Sequence, residues 1–210
     1  MSLATLLTLA DSRLPIGGHV HSGGVEEAIA SGLLRDVPTV ELYLRRRIRT
    51  SGLVAASLAA AVCADTLTPA RAELEADART PSPSARTASR AQGRGLLRLA
   101  KQVWPQARWS SLGTRPHLST VFGVVGAESG ASPEEIAGVV VYTTMTGAAT
   151  AAQRLLALDP AAVAACTIRL AAVCDQTARQ AAKGLAALSD PLQDVLAERH
   201  LLRDMPLFAS

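Results

Sequence analysis

The chain of 210 residues is long enough for one domain with a sizeable core, and we predict a single domain over 1–210. Apolar residues make up 49% of the chain but aromatic residues only 3%, which favours closely approaching helices around small aliphatic side chains. Three cysteines without metal-ligand spacing argue against a disulfide framework or a structural metal, and a net charge of +3 is small for a nucleic-acid-binding protein.

The apolar opening LATLLTLA is short for a signal core, has no basic residue before it and runs directly into Asp11-Ser12. No other stretch stays apolar and uncharged long enough to span a bilayer. We therefore expect a soluble cytoplasmic protein.

Helix-start signals recur along the chain, each with a capping side chain directly before a proline. They are Ser82-Pro83, Ser132-Pro133, Asp159-Pro160 and Asp190-Pro191, and Gly32, Gly130 and Gly184 are the matching stop signals. We predict an all-α bundle of roughly eight to ten helices. The predicted helices lie at roughly 3–10, 22–32, 38–63, 68–78, 83–103, 117–129, 133–157, 160–183 and 191–203.

The segment from Pro15 to Gly24 combines four glycines with two histidines between apolar runs. Ser22 is predicted to cap the following helix by accepting from the amides of Gly24 and Val25, and the glycines permit a tight turn. His19 and His21 could form a two-ligand metal chelate, but no further cluster of ligands accompanies them. A hydrogen-bonding or contact role for the two histidines is favoured over a metal site.

Catalytic motifs are missing from the sequence. Ser22 lacks the glycine two positions before it that a nucleophilic serine of the G-x-S-x-G type requires. Neither a phosphate-binding loop nor a G-x-G-x-x-G motif occurs, and no pair of carboxylates suggests general acid–base chemistry. We predict no catalytic residues and no cofactor.

A basic stripe runs along the helix predicted at 83–103, where Arg86, Arg90, Arg94 and Arg98 recur every four residues. Like charges at this spacing repel one another, so we expect acidic groups to face them, either from this chain or from another. Nucleic acid is a weaker alternative, because no nucleic-acid-reading motif and no aromatic stacking platform accompany the stripe.

The motif Leu7-x-x-x-Asp-Ser-x-Leu-Pro-Ile-Gly-Gly-x-x-His-Ser-Gly-Gly-x-Glu26 resembles the opening signature of UreF-type urease accessory proteins. The resemblance extends along nearly the whole chain. It continues through Arg86-Thr-Ala-Ser89, Gly93-Arg94, His117, Val121-Phe-Gly-Val124, Gln153-Arg-Leu155, Pro191, His200 and Leu207-Phe-Ala-Ser210.

This resemblance implies a non-enzymatic, all-α scaffold that forms a homodimer. It would bind a UreD-type (also called UreH-type) accessory protein and a UreG-type GTPase while nickel is loaded into apo-urease, without nucleic acid or membrane as a partner. It also implies that segments 1–20 and 200–210 are ordered by the partner. The partner-binding residues that it implies are Pro15, Gly17, Gly18, His19, His21, Ser22, Glu26, Arg86, Ser89, Arg94, Arg154, His200 and Phe208.

Three positions depart from the family pattern: His19 replaces an aromatic residue, Leu201 follows His200, and Pro206 precedes Leu207. The alternative to a scaffold is a nickel carrier that binds the metal directly through His19 and His21.

Overall fold

The computed structural model describes residues 1–107 and 109–208 and, at His19, the backbone alone. This part of the chain is all-α without a strand, which confirms the predicted fold class. The helices are α1 (Leu3–Leu9), α2 (Val25–Ala30), α3 (Val37–Arg47), α4 (Leu53–Cys63), α5 (Pro69–Arg79), α6 (Pro83–Val103), α7 (Leu118–Ser129), α8 (Pro133–Leu155), α9 (Pro160–Ala181) and α10 (Pro191–His200). Across the two described ranges, no helix has both the length and the apolar content that crossing a membrane requires.

The four predicted serine-proline and aspartate-proline helix starts are confirmed. At the start of α8, the Ser132 hydroxyl accepts from the Glu135 amide at 3.1 Å and Glu135 accepts from the Ser132 amide at 2.7 Å. These two bonds form a capping box, which satisfies backbone donors that have no partner within the helix. Gly130 ends α7 with a φ of +70°, as a C-terminal glycine is expected to do.

The helix predicted over 38–63 contains a π-helical segment between two α-helical parts. This segment, Ile48–Gly52, joins α3 to α4. The segment contains Thr50, whose hydroxyl donates to the Asp190 carboxylate at 2.6 Å. Wider turns of this kind occur often at functional positions, and this one links the third helix to the start of the last.

The core surrounds α4, which packs against α7, α8 and α9. Gly123 on α7 allows the closest approach, because a Cβ atom there would lie 2.5 Å from Cβ of Val62 and 2.8 Å from the Ala59 carbonyl oxygen. Phe122, beside it, is completely buried. Small residues thus allow the helix backbones of this core to lie close together, as the low aromatic content predicts.

The last helix, α10, lies across the start of α6 and is held there by its carboxylates. Asp194 accepts from the Ser82 amide at 3.1 Å, and Glu198 accepts from the Ser84 amide at 3.0 Å. Negative groups are favourable at a helix N-terminus, where backbone N–H groups are unpaired. This docking places the end of α10, and the tail that follows it, beside α2.

Candidate functional site

The C-terminal tail is bound to α2 through the carboxylate of Glu26, which is 4% exposed. Its two oxygens accept from the amides of Leu207 at 2.8 Å and Phe208 at 3.1 Å, and the His200 Nε2 atom lies 2.9 Å away. Burial acts to raise the pKa of Glu26, but the two amides and the imidazole outweigh it and hold the pKa below its ordinary value. The carboxylate therefore stays charged and joins residues more than 170 positions apart.

The neighbouring Glu27 is equally buried and binds two arginines from the other end of the chain. Arg199 Nε lies 3.0 Å and Arg203 Nη1 3.2 Å from its oxygens, and the Ser31 hydroxyl donates to it at 3.2 Å. Two consecutive acidic residues on α2 thus meet two basic residues spaced four apart, one in the last turn of α10 and one just after it. These pairs orient the tail, because the Glu27 carboxylate is buried and would lack compensation without the two arginines, whose side chains are partly exposed.

Phe208 is the point at which the tail enters the bundle. It is 9% exposed, and the Arg154 guanidinium carbon lies 5.6 Å from its ring centroid, a cation–π distance. Phe208 also lines a cavity of about 200 Å³, to which the loop after α1 contributes Ala10, Asp11 and Ile16. The two ends of the chain therefore meet around one cavity.

The loop from Pro15 to Gly24 turns tightly and packs directly on α6. Gly17 has a φ of +77°, whereas Gly18 has an ordinary φ and begins a short 3₁₀ turn, Gly18–Val20. On α6, a Cβ atom at Gly95 would lie 2.9 Å from the Ile16 Cα atom, so only glycine permits this approach. Pro15, next to Ile16, is exposed.

The prediction that Ser22 caps the next helix is wrong. Helix α2 begins at Val25, and its capping position is Gly24, with a φ of +85° and no side-chain cap. The reason is a turn in which both Gly23 and Gly24 adopt left-handed backbone angles, which moves the helix start three residues along the chain. Ser22 is buried, and its hydroxyl oxygen accepts from the Glu26 amide at 3.4 Å.

Both His21 and Ser22 line the cavity at Phe208, together with Gly18. The His19 side chain lies outside the described residues, so the structure does not test the predicted His19–His21 chelate. Among the side chains that are described, no group of three or more His, Cys, Asp or Glu residues could hold a metal ion.

The arginine stripe on α6 divides into two halves. Arg90 binds Glu73 at 2.7 Å and Asp77 at 2.9 Å, both on α5, so this chain itself supplies the expected acidic groups. Arg86 donates to the backbone carbonyls of Thr80 and Pro81. Arg94 and Arg98 are exposed. Arg94 and Arg98 therefore lie on the solvent side of the helix.

Ser89 belongs to a buried network that centres on His117. The His117 Nδ1 atom lies 3.0 Å from the Ser89 hydroxyl, and Nε2 lies 2.9 Å from the Asp77 carboxylate. Burial lowers the pKa of His117, although the Asp77 carboxylate opposes this. The pKa of Asp77 is held below its ordinary value because His117 and Arg90 outweigh its own burial. This network joins α5, α6 and α7 and makes Ser89 a structural residue.

Seven of the predicted site residues thus come together where the chain ends meet: Gly18, His21, Ser22, Glu26, Arg154, His200 and Phe208. By contrast, Arg86, Ser89 and Arg94 lie apart from them on α6.

Four residues of this site were not predicted from the sequence: Arg47, Gln193, Arg199 and Arg203. Arg47 donates to the Gly23 carbonyl and to Gln193 at 2.6 Å, and thereby ties the loop to α10. The complementary charges of Glu26-Glu27 and of the arginines at 199 and 203 are a feature of the sequence that is consistent with part of this set, but they lie too far apart in the chain to indicate a contact.

Comparison with known proteins gives consistent results. A model of the UreF family matches residues 34–171. The urease accessory protein UreF of Mycolicibacterium vanbaalenii is 65% identical over 212 residues, which cover 100% of this chain and 99% of the relative. The proteins of the same name from Mycobacterium sp. strain JLS and Mycobacterium tuberculosis strain H37Ra are 66% and 60% identical over 209 residues, with the same coverage.

Proposed function

Since the chain belongs to the UreF family of urease accessory proteins, we propose that it acts in urease maturation as a scaffold whose two chain ends form the docking surface for a UreD/UreH-type protein. It is an accessory protein rather than an enzyme. In the proposed role, the complex recruits and regulates a UreG-type GTPase and delivers nickel to apo-urease. We place this assembly in the cytoplasm, with the chain as a homodimer.

The observation that carries the proposal is the apolar surface of the two segments that meet at the Phe208 cavity. Four large apolar side chains of the tail are exposed, and two more are exposed on α1. They are Leu201, Leu202, Met205 and Leu207 in the tail and Leu3 and Leu7 in α1. Exposed apolar groups of this number on the two terminal segments favour burial against another protein.

The contacts of the tail backbone support the same role. The amides of Leu207 and Phe208 are bound by Glu26 while the Leu207 side chain is 78% exposed. The tail is thus held in position by these two amides and by the buried Phe208 ring, while the Leu207 side chain faces outward. A segment arranged in this way loses little further freedom when a partner binds, which favours affinity.

The positive charges around the cavity that His21 lines argue against the nickel-carrier alternative. Two guanidinium groups, of Arg47 and Arg154, line the same cavity. Positive charge near a metal site opposes the binding of a cation. Equilibrium dialysis with nickel separates the two ideas, because a tight stoichiometric site that is lost in His21→Ala would favour the carrier.

A pull-down with a co-expressed UreD/UreH-type protein tests the docking surface. Leu202→Ser removes an apolar side chain that is 83% exposed in the tail, and Leu74→Ser is the matched control because Leu74 is 60% exposed on α5. We expect the tail variant to retain less partner at unchanged helical circular dichroism, and the control to bind as wild type. If Leu202→Ser and a Leu3→Ser/Leu7→Ser variant each retained as much partner as the wild type, the proposal would be overturned.

A further inference from the structure

The cavity at Phe208 has an unusual charge balance. It is bordered by the loop after α1, the end of α3, the second half of α8 and Phe208, and it is partly open to solvent. Its charged lining residues are Asp11, Arg47 and Arg154. Asp11 is already paired with Arg13 at 2.6 Å, which holds the pKa of Asp11 at about 2. The lining therefore carries an excess of positive charge.

Within the part of the chain that the structure describes, the side-chain hydrogen bonds of Arg47 go to neutral acceptors. The guanidinium donates to the Gly23 carbonyl and to the Gln193 side-chain oxygen. A guanidinium favours a planar or tetrahedral anion that accepts two of its N–H groups together.

Arg154 reaches the same cavity from α8. The side chain is exposed, its guanidinium stacks on the Phe208 ring, and the ion pairs among the described residues include neither Arg154 nor Arg47. Stacking uses the face of the guanidinium and leaves the N–H groups at its edge able to donate. Two arginines without acidic partners thus border a space of about 200 Å³, which is large enough for a small ion and its water molecules.

The geometry points to a binding site in this cavity for a small oxyanion, held between Arg47 and Arg154. The ligand class is a tetrahedral inorganic anion or a small carboxylate, because both present oxygen atoms at the spacing of guanidinium N–H groups. Thr150 on α8 lines the same space, and its hydroxyl can add a further donor. The site is independent of the docking role, since it uses the interior of the cavity and not the exposed apolar side chains.

Isothermal titration calorimetry of the full chain tests this site, with sodium phosphate and sodium acetate as separate probes and sodium chloride as the ionic-strength reference. We expect saturable binding of at least one probe at one site per chain. Arg154→Gln should weaken it at least tenfold. Arg98→Gln is the matched control, because Arg98 is an exposed arginine outside the cavity, and it should bind as wild type.

The two probes distinguish the ligand classes, since tighter phosphate binding indicates an inorganic anion and tighter acetate binding indicates a carboxylate. Arg47→Lys, which keeps the charge but loses the paired donors, is a second variant in case Arg154→Gln alters the circular dichroism, and it should also bind at least tenfold more weakly. No saturable heat with either probe, or unchanged binding in a folded cavity variant, would overturn the inference.

Discussion

The His200 imidazole lies 2.9 Å from the Glu26 carboxylate, and the two side chains are 3% and 4% exposed. The pair connects the second helix to the last across most of the chain, and the same carboxylate holds the amides of Leu207 and Phe208. Glu26 is therefore the anchor of the C-terminal tail.

Replacing Glu26 by Gln should release the tail while the bundle stays folded. The amide keeps the size of the side chain but loses the charge that two N–H donors and the imidazole require, which should cost about 1–3 kcal/mol of unfolding free energy. Thermal unfolding measures the loss, and limited trypsin digestion at Arg199 and Arg203 measures the release. Glu128→Gln is the control, since Glu128 is exposed. Identical digestion of wild type and Glu26→Gln would show that the anchor lies elsewhere.

The buried His117 predicts a dependence of stability on pH. Burial holds its pKa in the folded protein below the ordinary value of 6.5. Its contribution to stability is therefore complete above pH 6.5 and is lost as the pH falls through the lower folded pKa. NMR titration of the imidazole should give a midpoint below 6.5, and chemical denaturation should show decreasing stability over the same range. A midpoint above 6.5 would contradict this, because it would mean that Asp77 outweighs the burial.

The two adjacent glycines of the loop should respond differently to alanine. Gly17 has a φ of +77°, which costs an L-residue about 1–2 kcal/mol, whereas at Gly18 a Cβ atom would meet only Ile16, at 3.9 Å. Gly17→Ala should lower the free energy of unfolding by about that amount, and Gly18→Ala should stay within about 0.5 kcal/mol of wild type. Denaturant unfolding of the pair measures the difference. Equal losses would mean that the loop does not depend on the left-handed angle at Gly17.

Substitutions in the two halves of the arginine stripe should differ in their effect on the free energy of unfolding. Arg90→Gln removes the pairs with Glu73 and Asp77 and should cost about 1–2 kcal/mol, because these groups are partly screened by solvent. Arg98→Gln should leave the stability unchanged, since Arg98 is exposed. Chemical denaturation at low and high salt measures both variants. A loss in Arg98→Gln as large as in Arg90→Gln would contradict the division.

Local signals in the sequence predicted the helices well because their causes are local. The capping box of Ser132 and Glu135 needs only four consecutive residues, and the structure contains it. Ser22 was misread for the opposite reason. The turn at Gly23 and Gly24 packs against Arg47, Tyr43 and Gln193, which are distant in sequence, and this packing sets where α2 begins.

The site itself depends on contacts that no local pattern shows. Glu26 and Phe208 were identified as site residues only through the family resemblance, and nothing in their spacing indicates that one binds the backbone of the other. No local sequence pattern indicates the role of Arg47, because that role depends on neutral groups that the fold brings to it.

Hydrogen–deuterium exchange of the chain, alone and in complex with a UreD/UreH-type protein, measures whether the two chain ends form the docking surface. We predict that binding slows exchange in both terminal segments, at 3–9 and at 201–208, while α5 exchanges as before. Protection confined to other helices, with both terminal segments unchanged, would contradict a docking surface formed by the two chain ends.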